Sequence, residues 1–177
     1  INEKGPLLRG SLFRSLFLAV NSNVKKGYTF IKIFEAGNVF KKEKENFFQS
    51  LHLSGIIYQH EPQITWSQKE LAYDFFSLKA ETSQLLQTLG MQNIYFQKAS
   101  PSMPFNKNAL DVFFGKQKIA VIGEIDLSVT EKLVKKPAYG FEIYPEKISL
   151  LSKNPKIKKT SKFPLSNRDI NIVIKKS

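Results

Sequence analysis

The sequence predicts an α+β fold, a mainly antiparallel sheet flanked by helices, on three observations. The first is the stretch Phe30-Ile31-Lys32-Ile33-Phe34-Glu35-Ala36-Gly37-Asn38-Val39-Phe40. Phe30, Lys32, Phe34 and Ala36 fall on one side of an extended chain and Ile31, Ile33 and Glu35 on the other. Apolar groups therefore reach both faces, the pattern of a central strand covered on both sides. The second is a helical stripe that runs straight into this strand. The third is that later extended segments are joined by short polar or glycine-containing connections, which suit hairpins and antiparallel pairing.

The stripe comprises Leu8, Leu12, Phe13, Leu16, Phe17 and Val20, begins after Pro6 and ends near Asn23 and Gly27. Its spacing gives an amphipathic helix with one broad apolar face, and Arg9 and Arg14 lie off that face as solvated charges or salt-bridge partners. Beyond Phe40, the run Lys41 to Asn46 has no apolar member and reads as an exposed loop. Leu51 to His60 resumes an extended pattern and makes a second strand, antiparallel to the first.

After a polar stretch holding Pro62 and the single Trp66, which suits a partly buried packing role, Asp74 is the N-cap of a helix. That helix runs through Leu78, Leu85, Leu86 and Leu89, and Gly90 closes it. Asn93 to Gln97 is a short strand. Ala109 to Phe114 and Ile119 to Glu124 form a hairpin around a four-residue connection, Gly115 to Lys118. Ser128-Val129-Thr130-Glu131 has the form of a capping box, starting a short helix that Pro137 stops. Ala138 to Tyr144 is another strand, and Pro145 opens a last turn of helix through Leu151.

Residues 152 to 162 change to Lys, Asn, Pro, Ser and Thr without a large apolar cluster, and read as a linker. Phe163-Pro164 then begins a new unit whose Ile170, Ile172 and Ile174 alternate as a strand without a partner downstream. The expected organisation is a core over 1–152, a basic linker over 153–162 and the truncated start of a second domain over 163–177.

At 177 residues, with 42% hydrophobic content and 15 Phe, the chain can bury a sizeable core. It has no cysteine, which excludes disulfides and thiolate metal sites and favours a reducing compartment, with the cytoplasm as the expectation and no membrane span. The net charge of +12 is uneven. Residues 153–177 carry seven Lys and Arg168 against Asp169 alone, so the basic character gathers at the end, where a phosphate backbone would be attracted. Lysine-rich surface that serves only solubility is the competing account.

Chemistry is thin. His52 and His60 are the only histidines and, on one strand face, would stand more than about 20 Å apart, too far to share a metal. Asp111, Glu124 and Asp126 have no spacing that fixes two of them together, so surface charge is expected of them. No glycine-rich phosphate loop or nucleophile elbow occurs. Arginine is the stronger exclusion: Arg9, Arg14 and Arg168 are the only ones, which leaves almost nothing to clamp a triphosphate in planar bidentate fashion.

Five segments in order resemble the carboxy-terminal part of the beta subunit of bacterial phenylalanyl-tRNA synthetases. Leu8-Arg9-Gly10-Ser11-Leu12 is similar to the family's Leu-Arg-Thr-Ser-Leu, and Phe34-Glu35-Ala36-Gly37-Asn38-Val39-Phe40 to its Phe-Glu-Ile-Gly-Arg-Val-Phe. Asp74-Phe75-Phe76-Ser77-Leu78-Lys79-Ala80 resembles a Phe-Phe-Asp-Leu-Lys-Gly segment, and Gly123-Glu124-Ile125 resembles Gly-Glu-Leu. Ser161-Lys162-Phe163-Pro164 with Arg168-Asp169-Ile170 resembles the start of the ferredoxin-like anticodon-binding domain. Departures are Gly10 for Thr, Asn38 for Arg, Ala80 for Gly, and Leu127-Ser128 where His-Pro is usual.

The resemblance implies a class II aminoacyl-tRNA synthetase-like core over 1–152 that is itself inactive, with no catalytic, cofactor or metal residues. It implies a non-catalytic structural module of a phenylalanine-tRNA ligase that supports the alpha subunit in an alpha-two beta-two assembly acting on tRNA(Phe). ATP and Mg2+ would belong to the holoenzyme. Lys153, Lys156, Lys158, Lys159, Lys162 and Arg168 are the candidate tRNA phosphate contacts, with a solvated tether as the alternative for the same residues. Two other readings stay open: a free-standing basic nucleic-acid-binding module, and an enzyme with a cryptic nucleotide pocket.

Overall fold

The structure is a computed structural model that describes residues 8–61, 72–100, 102–126 and 137–151. Helix α1 (Phe13–Lys25) leads into strands β1 (Phe30–Glu43) and β2 (Asn46–Gln59); α2 (Phe75–Thr88) precedes β3 (Ile94–Lys98), β4 (Phe105–Phe114) and β5 (Gln117–Ile125); β6 (Ala138–Ile143) and α3 (Pro145–Leu151) follow. The strands form one six-stranded sheet in the order β1-β2-β6-β5-β4-β3, and every neighbouring pair is antiparallel.

The two sheet faces hold separate cores. Under α1, Phe13, Leu16 and Val20 pack on Ile31, Ile56, Tyr58, Val121 and Ile125. Under α2 and α3, Leu78, Leu86 and Ile148 pack on Ile57, Val112, Ile122 and Ile143. Leu78 and Leu86 are fully buried, and burying each contributes about 1.5–3 kcal/mol.

Asp74 caps α2 as the sequence suggests: Oδ1 accepts from the Ser77 amide at 2.7 Å, and the Ser77 hydroxyl accepts from the Asp74 amide. At the other end Gly90 adopts φ +90°, letting Met91 N–H return to the Leu86 carbonyl at 3.0 Å.

Four expectations need correction. The stretch Phe30 to Phe40 is an edge strand, not a central one. Its apolar alternation is real, but only the α1 face is well covered, and Phe34 on the opposite face is 74% exposed. Helix α1 begins at Phe13, not near Leu8, because Arg9 is held on the outer edge of β1. The Arg9 carbonyl accepts from Phe40 N–H at 2.9 Å and its Nε donates to the Asn38 carbonyl at 3.0 Å.

The third correction is the charged run Lys41 to Asn46, which is mostly strand. Pairing continues to Glu43↔Asn46, and only Lys44 and Glu45 form the turn, with Lys44 at φ 54°. Charged residues tolerate this because the ribbon is open to solvent on both faces. Fourth, the connection between β4 and β5 is two residues, Gly115 and Lys116, since a register shift between Val112 and Phe113 brings Gln117 opposite Phe114.

The β2–β6 pairing runs only from Leu53 to Tyr58. Residues 38–52 therefore extend past the rest of the sheet as a two-stranded arm, with Phe47 63% and Phe48 51% exposed on its opposite faces. The capping-box segment Ser128 to Glu131, Trp66, the linker over 153–162 and the unit over 163–177 lie outside the described residues.

Candidate functional site

Beside the N-terminal end of α1, polar side chains of β2 and β6 gather on one sheet face. Because β2 pairs with β6 in the register Ser54↔Glu142, the Glu142 carboxylate lies across the alternate residues Ser50, His52 and Ser54. His52 Nδ1 meets Glu142 Oε1 at 3.0 Å, and Ser54 Oγ donates to the same oxygen at 3.4 Å. A carboxylate can only accept, so Nδ1 carries the proton, and Nε2 accepts from the Ser50 hydroxyl at 3.0 Å.

The Tyr144 ring stands edge-on to the His52 ring with centroids 5.0 Å apart. Burial, reinforced by Glu142 and Asp111, pushes the Tyr144 phenol well above its ordinary range. Asp111 on β4 is ion-paired with Lys118 at 2.5 Å. Hydroxyl, imidazole and carboxylate in this order are the parts of an activated nucleophile. Here the carboxylate also holds Ser54 and Tyr144, so its lone pairs are spent within the protein and the cluster is a locked polar layer.

Next to it, Glu35 accepts from the Ser15 hydroxyl and pairs with Arg9. The Ser15 hydrogen bond, more than the Arg9 guanidinium, holds the Glu35 carboxyl below its ordinary value. Arg9, one of two arginines among the described residues, is thus already engaged by Glu35 and Asn38.

The opposite face carries a cleft of about 400 Å³ between the start of α2 and the ends of β3 to β6. Phe75, Lys98, Asn108, Leu110, Glu124 and Tyr139 line it. Asn108 Nδ2 donates to Glu124 Oε2 at 2.9 Å, and burial next to Glu124 raises the Tyr139 phenol.

Of the candidates read from the sequence, His52 joins the polar layer, while His60 sits at the end of β2, its N–H on the Thr29 carbonyl. Asp111 and Glu124 belong to opposite faces, and Asp126 donates its N–H to the Pro104 carbonyl. Lys153, Lys156, Lys158, Lys159, Lys162 and Arg168 lie outside the described residues. Among the described residues, no group of three or more His, Asp or Glu could hold a metal ion, and no helix is long and apolar enough to cross a membrane. The His52–Glu142 pair escapes sequence reasoning, since its members are 90 residues apart and meet only through the β2–β6 register.

The fold of this sheet with its helices is found in known structures. It is similar to two structures of pyrrolysyl-tRNA synthetase from Desulfitobacterium hafniense. One superposes with a TM-score of 0.58 over 81% of this chain and 49% of that one, the other with 0.59 over 81% and 48%, both at 16% identity.

The family is fixed by sequence. The family profile described as "Phenylalanyl tRNA synthetase beta chain CLM domain" matches residues 1–144, and the chain belongs to that family. It is 32% identical, over 98% of its length, to the phenylalanine–tRNA ligase beta subunit of Wigglesworthia glossinidia brevipalpis, and 28% identical, over 96%, to that of Thermotoga maritima. It spans 22% of the length of each of these relatives.

Proposed function

We propose that residues 1–152 are a non-catalytic, class II-like module in the carboxy-terminal part of a phenylalanine-tRNA ligase beta subunit, supporting a catalytic alpha subunit in an alpha-two beta-two enzyme that charges tRNA(Phe). The observation that carries this reading is the family match over residues 1–144. In the same proposal, 153–162 is a basic linker whose Lys153, Lys156, Lys158, Lys159 and Lys162, with Arg168 beyond it, face tRNA phosphates. Residues 163–177 open an anticodon-binding domain, and the enzyme works in the cytoplasm.

Two features support a supporting role over a chemical one. Among the described residues, the groups best suited to ATP with Mg2+ are already engaged: Arg9 by Glu35 and the Asn38 carbonyl, and the Glu142 carboxylate of the polar layer by internal donors. In this proposal ATP and Mg2+ belong to the companion subunit. Phe34 on the outer face of β1 and Phe47 and Phe48 on the arm beyond the sheet are exposed, the kind of aromatic surface that subunit interfaces bury.

The test is co-purification of the full-length beta chain with its alpha subunit, followed by aminoacylation, with Phe34→Ser/Phe47→Ser as the variant. Loss of assembly with the module still folded is expected. Amino-acid-dependent pyrophosphate exchange by the beta chain alone would overturn the reading. So would tight tRNA binding that needs no companion subunit. For the linker, charge reversal of Lys156, Lys158 and Lys159 should weaken tRNA binding and reduce its salt slope by about one per lost phosphate contact.

A further inference from the structure

We propose that Arg9 and Glu146 form a two-sided clasp at the root of the arm, a conformational device that sets where the arm stands relative to the sheet. The clasp follows from the strand register and goes beyond the subunit-module reading.

In an antiparallel ladder the backbone groups of every second residue point away from the partner strand. Asn38 and Leu51 face each other across the β1–β2 ribbon, and Phe40 lies one such step further along the arm. The Arg9 carbonyl accepts from Phe40 N–H at 2.9 Å and Arg9 Nε donates to the Asn38 carbonyl at 3.0 Å, so both bonds lie on the outer edge of β1. On the other edge of the ribbon, β6 stops at Ile143, opposite Leu53. Leu51 N–H, one step beyond, donates to Glu146 Oε1 at 3.1 Å instead of to a strand. The chain turns into α3 at Pro145, which brings Glu146 back over that edge. Two residues far apart in the sequence, one leading into α1 and one in α3, thus grip the same rung from its two sides.

Arg9 is firmly seated. Its guanidinium pairs with Glu35, which also accepts from the Ser15 hydroxyl of α1. It lies over Gly37, where a Cβ would collide with it. The missing side chain at Gly37 is what lets one arginine join the lead-in segment, β1 and α1. Two-stranded ribbons twist more strongly than wide sheets, and among the described residues no third strand pairs with the arm. With both edges gripped at one rung, the stiff ladder carries a displacement on one side to the other. Phe47 and Phe48 are then held in a preset position, which spares a binding surface the cost of being ordered.

The test is residue-resolved hydrogen exchange on the full-length chain. The Phe40 and Leu51 amides are the reporters, because each is released when its own edge lets go while the β1–β2 ladder stays closed. Arg9→Ala should speed exchange at Phe40 by ~5-fold, the worth of one ordinary hydrogen bond. It should also speed Leu51, on the far edge, by about 2-fold, half of that effect in free energy. Glu146→Ala should do the reverse, and Glu146→Gln, which keeps an acceptor, should return Phe40 to its original rate. Gly37→Ala should reproduce Arg9→Ala at both amides, and adding it to Arg9→Ala should change little. Exchange in β4 and β5 should stay as it was.

Acceleration limited to the altered edge would reveal two separate hydrogen bonds and overturn the clasp. So would equal acceleration in β4 and β5, which marks a general loosening of the sheet. Additive effects of Gly37→Ala and Arg9→Ala would overturn the seating of the guanidinium.

Discussion

The coupling between His52 and Glu142 is the most exacting test of how the polar layer holds β2 to β6. Both side chains are more than four-fifths buried, with relative exposures of 18% and 17%, so the bond is not the solvent-screened surface kind. Replacing His52 with Ala removes the donor at 3.0 Å and the edge contact with Tyr144, and leaves the Ser50 hydroxyl without its acceptor. A hydrogen bond to a charged group is worth about 1.5–3 kcal/mol. Because Ser54 and Tyr144 still donate to Glu142, the expected cost is ~2 kcal/mol, the lower part of that range.

Glu142→Gln keeps an acceptor but removes the charge, for ~1 kcal/mol. The double variant should cost ~2 kcal/mol rather than 3, a coupling of about 1 kcal/mol. Native-state hydrogen exchange of amides 53–58 in the full-length chain reads the local opening energy, which suits a multidomain protein better than a single global transition. Additivity of the two single variants, within about 0.5 kcal/mol, would refute the idea that the pair acts as a unit.

Three further outcomes follow from the packing. Gly55→Ala places a Cβ 2.5 Å from the Phe141 ring and 3.0 Å from the Ile33 carbonyl, so it should destabilise the sheet by about 1–3 kcal/mol, read as faster exchange across β1, β2 and β6. Lys44→Gly relieves a left-handed residue in the hairpin turn and should stabilise the arm by a net ~0.5 kcal/mol after the entropic cost of glycine, seen as slower exchange in residues 40–50.

Stability should also fall at both pH extremes. Ser77 donors and the N-terminal amides of α2 hold Asp74 low, and the Ser15 hydroxyl and Arg9 hold Glu35 low. Their contributions are complete above the unfolded carboxylate range of about 4 and are lost as pH falls through the depressed folded values. Burial raises the Tyr73, Tyr139 and Tyr144 phenols. Their contribution is complete below about 10 and drains away as pH climbs toward the folded values, so a pH series of melting curves should show a loss on each side.

Much of the local structure is legible in the sequence because it depends on near neighbours. The α1 stripe, the Asp74 cap, the Gly90 stop and the alternation of β2 and β6 all follow from residues within a few positions of each other. The rank of β1 in the sheet does not. Phe34 alternates as a core residue would, yet it is exposed, and among the described residues no helix lies over that part of the sheet. The charged arm misleads for a related reason, since two-stranded pairing past the sheet needs no apolar side chains to continue.

The polar layer and the cleft are products of tertiary register. His52 carries no sign of Glu142, and Lys98 and Glu124 look like ordinary surface charges until β3, β4 and β5 are laid side by side. The basic residues from Lys153 to Arg168 were the most conspicuous binding signal in the sequence, and they lie outside the described residues.

The position of β6 has a bearing on how the chain reaches this state. Of the six strands in this sheet it is the last to be synthesised, yet it is the plank that joins two separate rafts, β1-β2 and β3-β4-β5. Until the ribosome has passed residue 143, each raft has an open flank of unsatisfied amides and carbonyls, and closing the gap requires a loop of about eighty residues between β2 and β6 to lose its freedom. During translation this sheet is thus most vulnerable to pairing with the wrong neighbour just before β6 closes it.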